Sequence, residues 1–365
     1  MLRLDPRDWE QSCLGSECTF HQIAPYIGKM KSSMAGALVE AYSSKGDFIL
    51  DPFAGSGAVP LEASIKGRET IAVDVNPYAV TLTRAKLMAP ATLKTALVKV
   101  NRAIDRASED HRVSPRLAPR WVKAFFHPRT FREISAFAET VRRRNDSFLL
   151  ACLLGILHHQ RPGFLSYPSS HLVPYLRSRK FPAAQFPQLY SYRPLKPRLL
   201  AKVTRTYRRP VKFDPSLSRV CLRADFRTLR LKRGCVDAII TSPPYMDTLD
   251  YARDNRLRLW FLGFDDYRQL DMRLGSLEQF SALMKDFAIR ARRWLHKDGY
   301  CVMVLGEVSA KTKSIDIGRL VTNIAVKQIG GFKLDSVVTN KIPAIRRSRK
   351  GSKVETESIV TLQRM

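Results

Sequence analysis

Apolar and polar positions alternate along the chain in two separated blocks. Phe48-Ile49-Leu50 is a short apolar run of the kind a buried strand uses, and it leads into Asp51-Pro52-Phe53-Ala54-Gly55-Ser56-Gly57. The run Ala58 to Ile65 reads as a helix ended by Gly67. Glu69 to Val73 reads as a second strand ending in Asp74-Val75-Asn76-Pro77, and Tyr78 to Met88 as a second helix. Strand, glycine turn, helix and strand with a terminal acid form the first half of a doubly wound α/β sheet. Upstream, Thr19 to Tyr42 has an irregular start and then a helical pattern around Met34 to Val39.

The alternation stops at about residue 89 and resumes at about 216. Between these points the pattern predicts helices joined by basic, proline-rich loops. Phe148 to Leu157 is its most apolar stretch; it falls short of the roughly 20 residues needed to cross a bilayer and reads as a buried helix. Strands are predicted again at Arg219 to Asp225 and Val236 to Ile240. A helix over Leu277 to Leu295 precedes a strand at Gly299 to Leu305, and another helix lies near Ile317 to Lys327. Two strands, Lys333 to Asn340 and Glu357 to Gln363, close the chain, with Arg346 to Lys353 as a basic hairpin tip between them. There are no internal repeats. The expected organisation is one α/β domain, 1–90 and 216–365, interrupted by a basic, mainly helical insertion, 91–215.

Charge sharpens this picture. The formal net charge is +29, and from Ser147 to Phe213 there is no Asp or Glu at all. A long segment carrying one sign repels itself unless a polyanion is its neighbour. Nucleic acid is the polyanion this composition suits best. An anionic membrane surface fits less well, because the basic residues are mixed with prolines and aromatics instead of lying along one amphipathic helix. Six cysteines are scattered without paired metal-ligand spacing, so no metal site is expected. Their apolar contexts and the absence of a signal-peptide pattern at Met1 to Asp5 suggest reduced thiols and a cytoplasmic location.

Two motifs carry chemistry. Gly55 and Gly57, in a strand-to-helix turn, let the backbone approach a ligand closely. No Gly-Lys-Ser/Thr follows, which excludes a Walker A loop. Pro60 occupies the place of the third small residue in a dinucleotide fingerprint, which argues against nicotinamide or flavin. The second motif is Thr241-Ser242-Pro243-Pro244-Tyr245 at the end of a predicted strand. Two prolines remove two backbone donors and hold the chain extended. The Ser242 hydroxyl and a prolyl carbonyl can then accept from an amine on a flat ring while Tyr245 stacks on its face. The same residues also suit an ordinary proline turn.

Together, Asp51 to Gly57 and Thr241 to Tyr245 resemble the DNA amino-methyltransferases, which make N4-methylcytosine or N6-methyladenine. The resemblance covers about Thr19 to Leu87 and about Val220 to the C-terminus. It implies a Rossmann-like methyltransferase sheet that binds S-adenosylmethionine. The implied contacts are Asp51, Phe53 and the backbone of Gly55 and Gly57 near the methionine part. Asp74 would take the ribose hydroxyls, and Asp225 with Phe226 would meet the adenine ring. Simple strand-end capping is the alternative for Asp74 and Asp225. His21 to Met30 is similar to the family element before the glycine loop, which would bring Tyr26 and Lys29 over the methionine end. His21 and Lys29 equally suit surface positions.

The implied reaction is direct methyl transfer to an exocyclic amine. Hydrogen bonds accepted from both N–H groups, by Ser242 Oγ and the Pro243 carbonyl, favour a pyramidal nitrogen with a free lone pair. The motif Ser242, Pro243, Pro244 and Tyr245 would thus be the catalytic centre, with Tyr245 stacked on a flipped base. Neither a metal nor a cysteine nucleophile is required. The serine form of the motif is associated mainly with cytosine N4. One departure is that many cytosine-N4 enzymes place this motif before the glycine loop, whereas here it follows.

In this reading the insertion is a candidate target-recognition region. Arg161, Arg177, Arg179, Lys180, Arg205, Arg208 and Arg209, with Arg346, Arg347 and Arg349 of the hairpin tip, are expected on DNA phosphates. His158 to Arg161 and Ser166 to His171 carry side chains able to read base edges, and the histidine pair reads as a solvated helix end. Asp247, Asp250, Tyr251 and Arg253 are candidates for the base pocket. Leu257 to Leu262 reads as a helix packed on the sheet. The expected function is site-specific methylation of double-stranded DNA, with a cognate restriction endonuclease as a candidate partner. The alternatives are an N6-adenine DNA methyltransferase, an RNA amino-methyltransferase, and a catalytically silent nucleic-acid-binding protein on the same fold.

Overall fold

The computed structural model describes residues 4–10, 17–109, 118–159, 163–170, 175–245, 251–270, 274–306, 308–309, 314–341 and 356–365. Seven strands form one sheet: β1 (Phe48–Asp51), β2 (Glu69–Asp74), β3 (Arg219–Arg223), β4 (Val236–Thr241), β5 (Leu295–Gly306), β6 (Phe332–Lys341) and β7 (Thr356–Arg364). Their order is β3-β2-β1-β4-β5-β7-β6. The first five run parallel, and β7 is antiparallel to both of its neighbours. This is the expected doubly wound, Rossmann-like sheet. The strand order reverses between β1 and β4, which leaves a crevice at their carboxyl ends, where such sheets bind ligands.

The period of two in each strand sorts its side chains between two cores. Ile49, Ala238, Ile240, Val302 and Val304 face α1 (Ser32–Tyr42) and α2 (Ala58–Ile65) through Met34, Leu38, Val39 and Val59. Leu50, Ile239, Cys301, Met303 and Leu305 face the other way, onto α9 (Leu277–Trp294) and α10 (Ile317–Asn323). Strands buried on both faces must be apolar nearly throughout, which explains the short runs visible in the sequence. Phe280, Met284, Phe287, Ala291 and Trp294 repeat at helical spacing on α9 and form its buried stripe. Burying each large side chain contributes about 1.5–3 kcal/mol. The Asn76-Pro77 pair starts α3 (Pro77–Leu87): Asn76 accepts from the Tyr78 amide, and Pro77 sits where its missing N–H costs nothing.

Between β2 and β3 the chain forms α4 (Leu93–Glu109), α5 (Pro128–Arg143), α6 (Ser147–Ile156) and α7 (Leu195–Thr206). Every residue from Phe148 to Ile156 is buried, so α6 is the centre of this helical layer. The core of the layer is continuous with Tyr78, Leu82 and Ala85 of α3. It also takes in Leu257, Leu259 and Phe261 of α8 (Arg256–Phe261). Here the expectation for Leu257 to Leu262 is corrected. The α8 segment packs on the helical layer, not on the sheet; Phe261 meets Phe126 at 5.9 Å and Trp260 meets Phe131 at 6.0 Å. The insertion helices carry more apolar surface than they can bury among themselves, and α8 covers part of it.

No helix among the described residues is long and apolar enough to cross a membrane. Residues Arg346, Arg347 and Arg349 lie outside the described residues, although the flanking strands pair as far as Lys341 with Thr356. The positions of Arg161, Asp247 and Asp250 also lie outside them.

Candidate active site

The glycine loop leaves β1 and is fixed from three sides. Gly55 and Gly57 have φ of 49° and 72°, a region in which a side chain is strained. A Cβ at Gly57 would lie 2.5 Å from Thr83 Oγ1, so the loop presses directly on α3. The Gly55 amide donates to Asp74 Oδ2 at 2.8 Å, and the Ala54 amide donates to the Val73 carbonyl at 3.0 Å. Beneath the loop, the buried Lys86 ammonium donates to the Ser56 carbonyl. Burial pushes the Lys86 ammonium down to about 7.

Two acids at the strand ends are equally constrained. Asp51 is buried and accepts from Thr241 Oγ1 at 2.6 Å and from the Phe53 amide at 3.2 Å. Burial raises its carboxyl to about 7 despite those two donors. Asp74 accepts from the amides of Gly55 and Asn76, and burial raises it to about 6. Asp225 differs. Its carboxylate is held by the Arg227 guanidinium at 2.6 Å, which keeps it below the ordinary carboxylate value. It also caps a single helical turn by accepting from the Arg227 amide. Strand-end capping and a ligand-facing position therefore coexist at Asp225, which lines the same pocket as Asp51 and Asp74.

That pocket runs from Tyr26, Lys29 and Met30 across the glycine loop to Phe226 and on to Ser242 and Tyr245. Tyr26 packs over Gly55, and its ring lies 5.8 Å from Tyr78. Phe53 meets Phe226 edge-on at 5.0 Å. Lys29 donates to the His21 carbonyl at 3.3 Å. His21 is not a surface residue; it is 3% exposed and bonds Glu62 at 2.7 Å.

The second motif continues from the end of β4. Ser242 Oγ donates to the Val304 carbonyl at 3.1 Å, and the Tyr245 hydroxyl lies 3.4 Å away. With its proton directed at Val304, the Ser242 oxygen has lone pairs left to accept from another donor. The Tyr245 ring lies flat against Gly306, where an added Cβ would come within 2.6 Å of it. The Tyr245 hydroxyl donates to Glu357 Oε1 at 3.2 Å. Glu357 Oε2 accepts from Asn340 Nδ2 at 3.3 Å, and Asn340 Oδ1 accepts from Trp9 Nε1 at 3.3 Å. Gly306, Glu357, Asn340 and Lys86 were not singled out from the sequence. The one signal for Lys86 was a lysine among the apolar positions of a predicted helix; for Glu357 there was none.

The structure separates the basic residues that charge counting had grouped. Arg179, Lys180, Arg205 and Arg208 are exposed, and Arg177 is half-buried. Arg209 is committed to the fold, donating through Nε to the Glu17 carbonyl at 2.8 Å. Arg193 donates to the carbonyls of Phe164, Ser166 and Leu189, and the buried Lys202 donates to Gln22 at 2.8 Å. Two expectations are corrected. His158 is 1% exposed and lies 3.4 Å from the Arg258 guanidinium, so it is a core residue and not a solvated helix end. Ser166, Ser169 and Ser170 are buried, with the hydroxyls of Ser166 and Ser169 3.1 Å apart, and cannot reach a base edge. Among the described residues no group of three or more His, Cys, Asp or Glu is placed to hold a metal ion.

Residues 16–85 match a family model described as DNA methylase. The Type II methyltransferase M.MjaII of Methanocaldococcus jannaschii is 31% identical over 67 residues, 18% of this chain and 13% of that relative. The chain thus spans about an eighth of the length of the curated relative it matches. Among solved structures it is similar to TrmN from Thermus thermophilus, with 13% identity, a TM-score of 0.40 and coverage of 95% of this chain and 52% of that one. It is also similar to the rRNA methyltransferase aviRa from Streptomyces viridochromogenes, with 12% identity, a TM-score of 0.34 and coverage of 99% and 93%. The loop without side chains at positions 55 and 57, the acid at 74 and the rings of Phe53 and Phe226 fit S-adenosylmethionine, the cofactor of the matched family. The segment 16–85 thus resembles the DNA methylase family, and it sits on a doubly wound, Rossmann-like sheet.

Proposed function

We propose that the chain methylates the exocyclic amine of a base in nucleic acid, with double-stranded DNA as substrate and cytosine N4 as the favoured target. One observation carries this reading: the glycine loop and the Ser242 motif leave adjacent strands and line one pocket. S-adenosylmethionine supplies an electrophilic methyl on sulfur. The chain's own residues do the rest. Asp74 would hold the cofactor's polar groups, while Phe53 and Phe226 would give its apolar part a dry wall. Ser242, its proton held by Val304, accepts from one amine N–H, and the Pro243 carbonyl accepts from the other. The nitrogen lone pair would thereby be freed to accept the methyl that the cofactor supplies, with the thioether as the leaving group and the displaced amine proton passing to solvent water. The Tyr245 face opposite Gly306 stacks on the base.

The exposed Arg179, Lys180, Arg205 and Arg208, with Arg177, are assigned to the phosphate backbone. Nucleoside mass spectrometry of DNA and RNA from cells expressing the protein tests the whole reading. N4-methylcytosine in DNA is the expected product. N6-methyladenine would move the target base, methylation confined to RNA would move the substrate, and no new modified nucleoside in either pool would overturn the reading.

A further inference from the structure

We infer that Glu357 is a positioning residue for the proposed methyl transfer, acting through Tyr245; the inference rests on the function proposed above. Tyr245 is the one aromatic residue of the second motif, and a stacking ring is useful only if its plane is set before the base arrives. Among the described residues, two contacts bear on it. Gly306 backs one face of the ring. Glu357 anchors the far end by accepting from the hydroxyl at 3.2 Å.

The anchor is itself braced. Glu357 and Asn340 are directly paired across β7 and β6, and the Asn340 amide donates to the second carboxylate oxygen at 3.3 Å. Asn340 is 2% exposed, and its own oxygen is satisfied by Trp9 Nε1, which belongs to a fully buried indole. A buried amide with both ends engaged cannot rotate away cheaply. Rigidity therefore passes from the Trp9 core through Asn340 and Glu357 to the Tyr245 ring, and from there to Ser242, 3.4 Å from the hydroxyl. The closing hairpin of the sheet thus helps to build the pocket whose recognisable motif lies on β4.

The tether predicts coupling. Glu357→Ala and Tyr245→Phe each break the same hydrogen bond and should each lower kcat/KM by about tenfold. The double variant should be no worse than either single one, with cofactor affinity unchanged throughout. Glu357→Gln keeps an oxygen for the hydroxyl and should recover most of the loss. Additive losses of about a hundredfold, or a Glu357→Ala enzyme equal to wild type, would overturn the tether.

A readout without turnover covers a variant that is inactive for other reasons. An anionic acceptor favours the protonated phenol. With 3-fluorotyrosine at position 245, the fluorine resonance should titrate at lower pH in Glu357→Ala than in the wild-type background, and an unchanged midpoint would refute the contact. Wild-type protein that transfers no methyl to any nucleic acid would count against the proposed function, while the fluorine titration would still decide the tether.

Discussion

Thr241 Oγ1 at the end of β4 donates a 2.6 Å hydrogen bond to the buried carboxyl of Asp51 at the end of β1. The two residues are 190 positions apart and belong to the two motifs that carry the chemistry. The bond locks the glycine loop and the Ser242 strand into one register at the crevice where the strand order reverses. Under the proposed function, either motif displaced by a fraction of an ångström would misplace donor and acceptor, and such misplacement is expensive in rate.

Asp51 should therefore make stability depend on pH. Its folded-state carboxyl sits near 7, above the ordinary 3.8. The folded chain keeps this proton after the unfolded chain has released it. The stabilising contribution is complete below about pH 4 and is lost as the pH rises to about 7. Asp51→Asn removes that dependence, so its melting temperature relative to wild type should climb across this window and then level off. A difference that stays flat from pH 4 to 7 would show that the carboxyl is not so buried.

Thr241→Val deletes a donor that favours the ionised form of Asp51. The carboxyl should rise further, and the pH window of lost stability should extend upward. The same melting series measures this, with an unshifted window as the contrary result.

Gly57→Ala should cost about 1–3 kcal/mol, since it forces a side chain into φ 72° and against Thr83. Chemical denaturation reads the loss, and calorimetry should show weakened S-adenosylmethionine binding. Adding Thr83→Ala should recover the steric part only. Full recovery would mean that the backbone conformation costs nothing.

Ser242→Ala should bind the cofactor as wild type does yet lose transfer by about a hundredfold to a thousandfold, the usual effect of deleting one preorganised hydrogen-bonding group. Tritiated methyl transfer and cofactor calorimetry on the same preparation check both halves. Retained transfer would remove Ser242 from the proposed centre.

Affinity for DNA should fall steeply between roughly 50 and 200 mM salt. Alanine at Arg179, Lys180, Arg205 or Arg208 should each reduce the salt slope by about 1. Arg209→Ala should instead lower the melting temperature, because its guanidinium holds the Glu17 backbone. If all five behave alike, the division between outward and inward cations is wrong.

Much of the fold was legible because its signals are local. The helix Ala58–Ile65 and the strands over 236–241 and 356–364 follow from periodicity, caps and turn residues within a few positions. The placement of α8 was not legible, since an apolar helix reads the same whether a sheet or another helix covers it. The inward course of Arg193, Arg209 and Lys202 was hidden for a similar reason: net charge counts cations but not the carbonyls that claim them. Within the pocket, both motifs were visible as residue types suited to a cofactor and an amine. Glu357 and Asn340 looked like ordinary strand residues because their use depends on which strands pair.

The sequence alone determined the order of strands and helices, the glycine turn, the Ser-Pro-Pro-Tyr segment and the acid-free basic stretch. These depend on backbone restrictions and side-chain chemistry confined to neighbouring residues. Tertiary structure decided that β1 and β4 lie side by side, that Thr241 reaches Asp51, and that a carboxylate on β7 holds Tyr245. Those contacts join residues far apart in the chain. They form only when burial of both sheet faces selects one strand order, and no local pattern encodes that choice.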